Sequence, residues 1–490
     1  MDHRQHPDLI STLRLFIQRL GRWGTSREDS DSSDDEITIS DSMPKDMAFC
    51  STEQLAKNDI CFETKLASGL MSPEVNDANQ CVMPIIQRSQ LGPGFTAGQI
   101  RRIGNHFLPN TMKRVDKYNS KAFCGTYSKH GDLLVTASQD NYLRFYHTRN
   151  GVYKLFKKLN AQNVSWSVLD TAFSPDGNYI AYSSWSNSLY LCPIYDEPNL
   201  QEALVLDRSD TGRFCIFSLV FSGDGREILG AANDGYLYVY DRECHQRTIK
   251  IAGHTEDANT VAFADSTSQI LYSAGDDGLC KVWDRRTLNE AHPHPVGVLA
   301  GHADGITYVD SRGDSRYLIT NSKDQTLKLW DVRVFSSAEA IENACRAVSS
   351  QDWDYRWPRV PTKYWTAQKG KLEGDTSVMT YKGHQVVQTL VRCHFSPPVT
   401  TGQRYIYSGC GTGKVIIYDL LTGSIVRTLE GHKGCVRDVS WHPYRHEIIS
   451  SSWDGVIGAW KYVTNDFELN DEWAEGHYRE KNKPSIPRKE

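Results

Sequence analysis

The chain has 490 residues, of which 39% are hydrophobic and 23% charged, a composition typical of soluble globular proteins. Its formal net charge of −5 argues against broad nucleic-acid binding, and its apolar runs are too short to predict a membrane span. The 12 cysteines are scattered without a Cys-x-x-Cys pair. This pattern predicts reduced thiols and no zinc module, and it favours the cytoplasm or the nucleus as the location.

The first hundred residues differ from the rest and are predicted to form an extension, 1–100, that is largely disordered. Apolar residues at helical spacing from Leu9 to Leu20 predict one short helix. Because such a short helix is marginal alone, it is expected to pack on the protein's own surface or on another subunit.

The rest of this extension is polar. Six of the nine residues in 28–36 are acidic, so this segment is expected to stay solvated. Ser32 and Ser33 each precede an acid by three residues, which suits an acidophilic kinase; a plain linker is the alternative. Residues 41–100 show little periodicity and are predicted to be mostly disordered.

A repeat of about 40–45 residues begins near residue 101 and ends near residue 465. The third predicted strand of each unit closes with an aromatic residue or a substitute, at Tyr146, Cys192, Tyr240, Trp283, Trp330, Tyr418 and Trp460. Gly-His pairs occur at 253–254, 301–302, 383–384 and 431–432. Gly-His near the start of a unit and Trp-Asp near its end are typical of four-stranded propeller blades. The seven closing positions therefore predict an all-β, seven-bladed WD-repeat β-propeller over 101–465.

One interval in the repeat is twice the usual length, the 88 residues between Trp330 and Tyr418. Residues 334–380 contain a short helical pattern and then an aromatic-rich stretch, without an alternating strand pair. This segment is predicted to be an insertion between blades five and six. Its aromatic residues are expected either to pack along the propeller flank or to bind a partner.

The two ends of the propeller also carry predictions. A circular array of sheets leaves edges to protect, and a strand between Phe107 and Val115 is predicted to complete the last blade. The polar segment 466–490 is predicted to be a flexible tail.

Three blades share polar residues at fixed distances from the closing tryptophan. An acid lies six residues before it, a serine or threonine ten before it, and the histidine of Gly-His 28 or 29 before it. These residues are predicted to form buried hydrogen-bond chains from Trp to Ser/Thr to His to Asp. The chains are His254, Ser273, Asp277 and Trp283; His302, Thr320, Asp324 and Trp330; and His432, Ser450, Asp454 and Trp460. The histidines are therefore interpreted as structural rather than as metal ligands or catalytic bases.

Motifs of catalysis are missing from the sequence. The stretch 409–414 resembles a phosphate loop, but Ser408 replaces its first glycine and Val415 its magnesium-binding hydroxyl. The nucleophile-elbow, kinase and zinc-protease signatures do not occur. The sequence thus predicts no catalytic residue, no metal site and no cofactor.

Two adjacent units carry the same pattern after the third strand, Trp283-Asp-Arg-Arg286 and Trp330-Asp-Val-Arg333. The propeller fold does not require the final arginine. Residues two apart in a strand point the same way, so Asp284 is expected to orient Arg286, and Asp331 to orient Arg333. Consecutive blades are neighbours, so the two pairs are predicted to form one patch at the rim, and arginine is common at interface hot spots.

This doubled Trp-Asp-x-Arg box resembles that of the WD-repeat substrate receptors of the cullin-4 RING ubiquitin ligases. Motifs in loops and in the insertion, among them 353–357 and 436–443, narrow the resemblance to the family of cullin-4-associated factor 11 over roughly residues 100–462. Members of the class often carry an N-terminal helix that inserts into the adaptor, a role for which Leu9–Leu20 is the candidate.

The resemblance implies a set of partners. Asp284, Arg286, Asp331 and Arg333 would contact the damaged-DNA-binding protein 1 adaptor, and through it cullin-4 and a RING subunit. Protein substrates, with stress-response transcription factors among them, would be ubiquitinated and sent to the proteasome. No direct nucleic-acid or membrane contact is implied, and the expected location is the nucleus and the cytoplasm.

Two other functions remain open on the sequence. The first is a WD-repeat interaction scaffold without a ubiquitin-ligase role, and the second is an enzyme that uses the central channel. The paired arginines discriminate the ligase receptor from the scaffold. The substrate is expected on the face opposite the boxes or at the channel opening, where the sequence identifies no residue.

Overall fold

A computed structural model describes residues 52–71, 95–195, 200–206, 214–357, 360–361 and 371–464. The predicted helix at Leu9–Leu20, the acidic segment 28–36 and the tail 466–490 lie outside the described residues.

The described residues contain 28 strands in seven four-stranded antiparallel sheets, which confirms the predicted seven-bladed propeller. Blade one contains β2 (Ala122–Tyr127), β3 (Leu133–Ser138), β4 (Tyr142–His147) and β5 (Lys154–Asn160). Blade two contains β6 (Asp170–Phe173), β7 (Tyr179–Ser183), β8 (Ser188–Pro193) and β9 (Glu202–Val205). Blade three contains β10 (Ile216–Phe221), β11 (Glu227–Ala232), β12 (Tyr236–Asp241) and β13 (Gln246–Ala252).

The remaining four blades follow the same order from the channel outward. Blade four contains β14 (Ala258–Phe263), β15 (Ile270–Gly275), β16 (Cys280–Asp284) and β17 (Gly297–Leu299). Blade five contains β18 (Ile306–Ser311), β19 (Tyr317–Ser322), β20 (Thr326–Asp331) and β21 (Met379–Lys382). Blade six contains β22 (Cys393–Phe395), β23 (Tyr405–Gly409), β24 (Lys414–Asp419) and β25 (Ile425–Glu430). Blade seven contains β26 (Val436–Trp441), β27 (Ile448–Ser452), β28 (Val456–Lys461) and β1 (Thr111–Lys117).

Burial within a blade follows the position of the strand. All six residues of β3, Leu-Leu-Val-Thr-Ala-Ser, are buried, because both faces of an inner strand pack against neighbouring blades. In the outer strand β5, Lys-Leu-Phe-Lys-Lys-Leu-Asn, only Leu159 and the partly buried Phe156 and Lys157 are covered. Charged outer strands of this kind protect the blade edge from pairing with other chains.

An N-terminal strand completes the last blade, as predicted. β1 pairs antiparallel with β28, from Thr111 opposite Lys461 to Lys117 opposite Val456. The strand lies a few residues later than the predicted 107–115 segment. Leu108 and Met112 pack in the same core cluster as the closing Trp460, so chain closure also fills the blade-seven core.

The insertion lies within blade five rather than between blades five and six. β21 (Met379–Lys382) follows the insertion and pairs with β20, so the inserted residues separate the third strand from the fourth. The closing residues mark third strands only, and a four-residue fourth strand leaves no periodic signal. The helix within the insertion spans Ala338–Ser349, begins after the N-cap Ser337, and packs Ala344 in one cluster with Leu279 and Ala300 of blade four.

The prediction of disorder over 41–100 is wrong for 52–71 and 95–100. Residues 52–67 form two helices, α1 (Thr52–Lys57) and α2 (Asp59–Ala67), and a third helix, α3, spans Ala97–Gly104. Leu55 and Ile60 are 1% and 0% exposed in a cluster shared with blades five and six. Two buried apolar residues give almost no periodicity, so these helices depend on docking rather than on their own sequence.

The remaining helices of the described residues complete the chain. With α1 to α3 named, the insertion helix Ala338–Ser349 is α4, and a short α5 spans Pro398–Thr401. α3 ties the N-terminal helices to the propeller loop of α5, because Arg101 donates Nη1 to the Ala67 carbonyl at 3.0 Å and Nε to the Val399 carbonyl at 3.2 Å. A helix of membrane-spanning length and hydropathy does not occur among the described residues.

Candidate docking surface

The box of blade four forms an oriented arginine–aspartate pair. Asp284 is the last residue of β16, and its Oδ1 accepts the backbone N–H of Arg286 at 2.9 Å, which fixes the turn. Arg286 then donates Nε to Oδ1 at 2.9 Å and Nη2 to Oδ2 at 2.6 Å. The arginine side chain is 70% exposed, whereas that of Asp284 is 12% exposed. A partly buried carboxylate therefore holds an exposed guanidinium in a fixed direction.

The box of blade five repeats this geometry. Asp331 ends β20, and its Oδ1 accepts the backbone N–H of Arg333 at 3.1 Å. Arg333 donates Nε to Oδ1 at 2.9 Å and Nη2 to Oδ2 at 2.6 Å. Its side chain is 53% exposed, and that of Asp331 is 1% exposed. The two boxes are thus built alike in consecutive blades.

Electrostatics keep both carboxylates ionised. The hydrogen bond from the Arg286 side chain lowers the pKa of Asp284. Burial alone would raise the pKa of Asp331, but the side-chain and backbone hydrogen bonds from Arg333 lower it below its ordinary value. Conversely, the hydrogen bond to Asp331 raises the pKa of Arg333. Each pair therefore stays charged on both sides at neutral pH.

The N-terminal helix pair, α1 and α2, contacts the blade-five box. Asn58, the N-cap of α2, donates Nδ2 to Asp331 Oδ2 at 3.2 Å, and its Oδ1 accepts the Tyr317 hydroxyl at 2.5 Å. Asp59 Oδ2 lies 3.5 Å from Arg333 Nη1 and also forms an ion pair with Arg316. The two boxes therefore differ in surroundings, because Arg333 has a second carboxylate beside it.

Sequence reasoning missed both the helix pair and two further arginine–aspartate pairs at equivalent strand ends. Asp241 of blade three pairs with Arg226, and Asp419 of blade six pairs with Arg404. In both cases the arginine lies 15 residues before the aspartate. This spacing is a usable sequence signal, because it equals the distance from the residue before the second strand to the end of the third.

The predicted buried chains place their residues as follows. In blade five, Trp330 donates Nε1 to Thr320 Oγ1 at 2.8 Å, Thr320 Oγ1 lies 2.7 Å from His302 Nε2, and His302 Nδ1 lies 2.9 Å from Asp324 Oδ2. In blade four the corresponding distances are 2.9 Å from Trp283 Nε1 to Ser273 Oγ, 2.8 Å from Ser273 Oγ to His254 Nε2, and 2.9 Å from His254 Nδ1 to Asp277 Oδ2. In blade seven they are 2.7 Å from Trp460 Nε1 to Ser450 Oγ, 2.7 Å from Ser450 Oγ to His432 Nε2, and 3.2 Å from His432 Nδ1 to Asp454 Oδ2.

The proton positions in these chains follow from satisfying every member. If Nδ1 of each histidine donates to the aspartate, Nε2 accepts the hydroxyl proton, and the hydroxyl oxygen accepts the indole N–H. Burial by itself would raise the pKa of Asp454, but hydrogen bonds from His432 and from two backbone amides lower it to about 2. The histidines are thereby fully engaged inside the blades.

Blades one and six use different partners at the same place. In blade one the buried Tyr118 takes the position of the histidine, and its hydroxyl lies 2.7 Å from Thr136 Oγ1 and 2.9 Å from the Tyr146 hydroxyl. In blade six, where Thr412 replaces the aspartate, His384 Nδ1 lies 2.9 Å from the Tyr418 hydroxyl. Its Nε2 lies 2.7 Å from Asn321 Oδ1 of blade five, so this histidine connects two blades.

Replacing Thr320 by valine, which has nearly the same shape, is expected to destabilise the protein by about 2–4 kcal/mol. The change leaves His302 Nε2 and Trp330 Nε1 without their shared partner in a core where both side chains are 0% exposed. Chemical denaturation followed by tryptophan fluorescence measures the effect.

Ser183→Ala is the matched control for that experiment. Ser183 is also 0% exposed, but within the described residues its Oγ has no hydrogen-bond partner, so its loss is expected to change stability by less than about 1 kcal/mol. Equal effects of the two substitutions would contradict the role assigned to the Thr320 hydroxyl.

Among the described residues, no group of three or more histidine, cysteine, aspartate or glutamate side chains is arranged to hold a metal ion. The ten cysteines that the structure describes as free include seven buried ones, among them Cys124 and Cys280. Burial raises the pKa of the Cys124 thiol to about 11, so this thiol is protonated at neutral pH.

Comparison with known proteins gives consistent matches. The family model described as "WD domain, G-beta repeat" matches residues 154–192, 245–284, 293–331 and 423–461. These matches fall on blades one to two, three to four, four to five, and six to seven, each from the fourth strand of one blade through the third strand of the next. The repeat family agrees with the fold described above.

Individual relatives extend the similarity beyond the repeats. The chain is 42% identical over 374 residues to a "DDB1- and CUL4-associated factor 11 homolog" of Caenorhabditis elegans, an alignment that covers 74% of this chain and 65% of that protein, just under two thirds of its length. It is 35% identical to the protein of the same name in Caenorhabditis briggsae, over 98% of this chain and 90% of that protein. It is also 41% identical to a "LEC14B homolog" of Prunus armeniaca, over 76% of this chain and 79% of that protein.

Proposed function

The chain belongs to the family of the DDB1- and CUL4-associated factor 11 homologues, and we propose that it is a substrate-recognition subunit of a cullin-4 RING ubiquitin ligase. In this role it docks to the damaged-DNA-binding protein 1 adaptor, which connects it to cullin-4 and a RING subunit. It presents protein substrates for ubiquitination and proteasomal degradation.

The observation that carries the proposal is the pair of bidentate arginine–aspartate boxes at equivalent ends of β16 and β20. The fold does not need Arg286 or Arg333, since both side chains are more than half exposed. Orienting an exposed guanidinium through a buried carboxylate reduces the side-chain entropy that binding costs. A planar fork fixed in this way suits carboxylate or carbonyl acceptors on a partner surface.

Docking through these boxes is expected to be unequal. Arg333 already has Asp59 3.5 Å from its Nη1, whereas among the described residues the only ion-pair partner of Arg286 is Asp284. A partner carboxylate must therefore share or displace Asp59 at blade five. We assign the larger share of adaptor binding to Arg286.

The chain itself performs no chemistry in this proposal. A receptor accelerates ubiquitin transfer by holding the substrate near the loaded enzyme, which turns a bimolecular encounter into a step within one assembly. The protein's contribution is rigidity, because seven closed blades keep the docking surface and the substrate surface at a fixed separation.

We place the substrate on the face opposite the boxes. β20 runs from that face to Asp331, and six residues of strand span about 20 Å. There Tyr355 of the insertion lies under Lys323, with Nζ 4.2 Å from the ring centroid, and Trp357 is 60% exposed. Burial raises the pKa of both Asp257 and Asp304 to about 6.

Stress-response transcription factors remain candidate substrates, and the location in nucleus and cytoplasm stays a prediction.

Affinity purification of the tagged full chain from cells, followed by mass spectrometry with and without a proteasome inhibitor, tests the proposed function. We expect the adaptor and cullin-4 under both conditions, and substrates enriched only under inhibition. Recovery of other proteins without the adaptor would overturn the proposal and favour the alternative, a WD-repeat scaffold without a ubiquitin-ligase role.

A further inference from the structure

We propose that the docking surface continues from blade four onto blade three, where Arg226 supplies a third oriented guanidinium to the adaptor. This inference rests on the proposed function. It assigns a contact to a residue outside both Trp-Asp-x-Arg boxes, and it predicts an acidic or carbonyl-rich patch on the partner opposite blade three.

The carboxylate that holds Arg226 is the blade-three counterpart of the box aspartates. Asp241 ends β12 and pairs with Glu227, the first residue of β11, just as Asp284 pairs with Ile270 at the start of β15. Its Oδ1 accepts the backbone N–H of Glu243 at 2.8 Å, the same turn contact that Asp284 makes in blade four. Blade three therefore ends its third strand with the same carboxylate in the same orientation.

The guanidinium comes from a different place in the sequence. Two residues after Asp241 lies Glu243, so blade three lacks the box arginine. Arg226, the residue before β11, instead donates Nε to Asp241 Oδ2 at 3.0 Å, and its Nη2 lies 3.0 Å from the same oxygen. Its Nε also lies 3.3 Å from Oε2 of the exposed Glu243, so a partner acceptor shares Arg226 with Glu243 as it shares Arg333 with Asp59. The Arg226 side chain is 47% exposed and that of Asp241 is 6% exposed, close to the values for the blade-five pair.

A direct contact joins this pair to the blade-four box. Arg285, the variable residue of the Trp-Asp-x-Arg box, forms an ion pair with Glu227, and these side chains are 20% and 15% exposed. Arg285 precedes Arg286 in the chain, and Glu227 follows Arg226. Arg226 and Arg286 are therefore the sequence neighbours of an ion pair that joins blade three to blade four.

The size of a stable interface supports the extension. Specific interfaces bury about 800 Å² on each partner and involve roughly 20–30 residues a side. The turns of the two Trp-Asp-x-Arg boxes alone are too small to provide such a surface. Beyond Arg333, the N-terminal helix pair lies between blades five and six, with Leu55 and Ile60 in the same cluster as Tyr317 and Tyr418. Blade three, in contrast, presents Arg226 at the surface, and the ion pair of Arg285 with Glu227 joins its strand end to the one that carries Arg286.

Blade six offers a matched control on the other side of the helix pair. Arg404 donates Nε and Nη2 to Asp419 Oδ2 at 3.0 and 2.8 Å, so the construction equals that of Arg226 and Asp241. Its side chain is 25% exposed, about half the value for Arg226. The substitution R404A thus removes an equivalent ion pair whose guanidinium is less available to a partner than that of Arg226.

The test measures binding of the purified full chain to the purified damaged-DNA-binding protein 1 adaptor by biolayer interferometry. We expect R226A to weaken the Kd by about 5-fold to 20-fold, R226K to weaken it less, and R404A to change it by less than about twofold. R226A and R404A each leave a carboxylate that is 6% or 5% exposed without its arginine, so both are expected to melt below the wild type by similar amounts, whereas R226K keeps the charge and is expected to melt close to the wild type.

The outcomes separate this inference from the proposed function. Unchanged binding by R226A, together with weakened binding by R286A, overturns the third contact and leaves the ligase role standing. Equal losses for R226A and R404A also overturn it, because the effect would then come from the blades themselves. A wild-type chain that does not bind the adaptor overturns the proposed function, and the inference with it.

Discussion

Replacing both Arg286 and Arg333 by alanine is expected to reduce affinity for the damaged-DNA-binding protein 1 adaptor by roughly 100-fold or more, and to remove the adaptor from purified material. The folded chain is expected to survive the change. Both side chains are more than half exposed, and neither belongs to a core cluster of the described residues.

The physical reason lies in preorganisation. Each arginine is held by two hydrogen bonds to one aspartate, so its guanidinium fork is already aimed before the partner arrives. Alanine removes the fork and leaves Asp284 and Asp331 as unneutralised carboxylates at the contact. Repulsion of an acidic partner patch is then added to the lost hydrogen bonds.

Two further variants sharpen the experiment. R286K/R333K keeps the charge but loses the planar bidentate geometry, so an intermediate affinity is expected. R346A in α4 is the matched control, because Arg346 is 69% exposed and pairs with Glu342 at 2.8 Å, yet lies in the insertion helix. Adaptor affinity that is unchanged in the double alanine variant would remove the boxes from the proposed function.

A chain that begins at residue 119 is expected to fail to fold and to be recovered only as insoluble protein. This truncation removes β1, and with it the fourth strand of blade seven. It also removes Leu108 and Met112 from the core around Trp460, and the buried Tyr118 hydroxyl from its bonds to Thr136 and Tyr146.

The reason is that closure is cooperative. Without β1, β28 becomes an edge strand in which six residues lose their pairing partners. Blades seven and one also lose part of their shared core. Two shorter N-terminal truncations keep β1 and so test the docking of the helices α1 and α2 separately from closure of the propeller. A chain that begins at residue 52 is expected to melt like the full chain.

A chain that begins at residue 95 is expected to stay folded but to melt about 3–8 °C lower, because α1 and α2 no longer cover the cluster that holds Leu55 and Ile60. Differential scanning fluorimetry and soluble yield compare the three truncations. A soluble, cooperatively melting protein that begins at residue 119 would contradict the closure role of β1.

The sequence by itself determined the features that depend on short, fixed spacing. The closing residues from Tyr146 to Trp460 yielded seven blades, because one blade is a local unit whose strands follow each other in the chain. The pairing of Asp284 with Arg286 also follows from two residues of separation at a strand end. The buried chains through His302 and its counterparts rest on spacings within one blade and the loop before it.

Only the tertiary structure decided the contacts that join distant segments. The insertion lies inside blade five because a four-residue strand, Met379–Lys382, pairs with residues 50 to 56 positions earlier in the chain. The helices at 52–67 contact the blade-five box through Asn58 and Asp59. Their own sequence has too few apolar residues to predict a helix. His384 takes Asn321 of the neighbouring blade as its partner.

The same division applies to the candidate site. The box arginines were predictable because aspartate and arginine share one turn, whereas Arg226 meets Asp241 across two strands of blade three. Strand register and blade packing joined the strand end that carries this pair to the blade-four box through the contact of Arg285 with Glu227. Local periodicity thus specified the blades and their boxes, and packing between segments far apart in the chain decided which surface those boxes belong to.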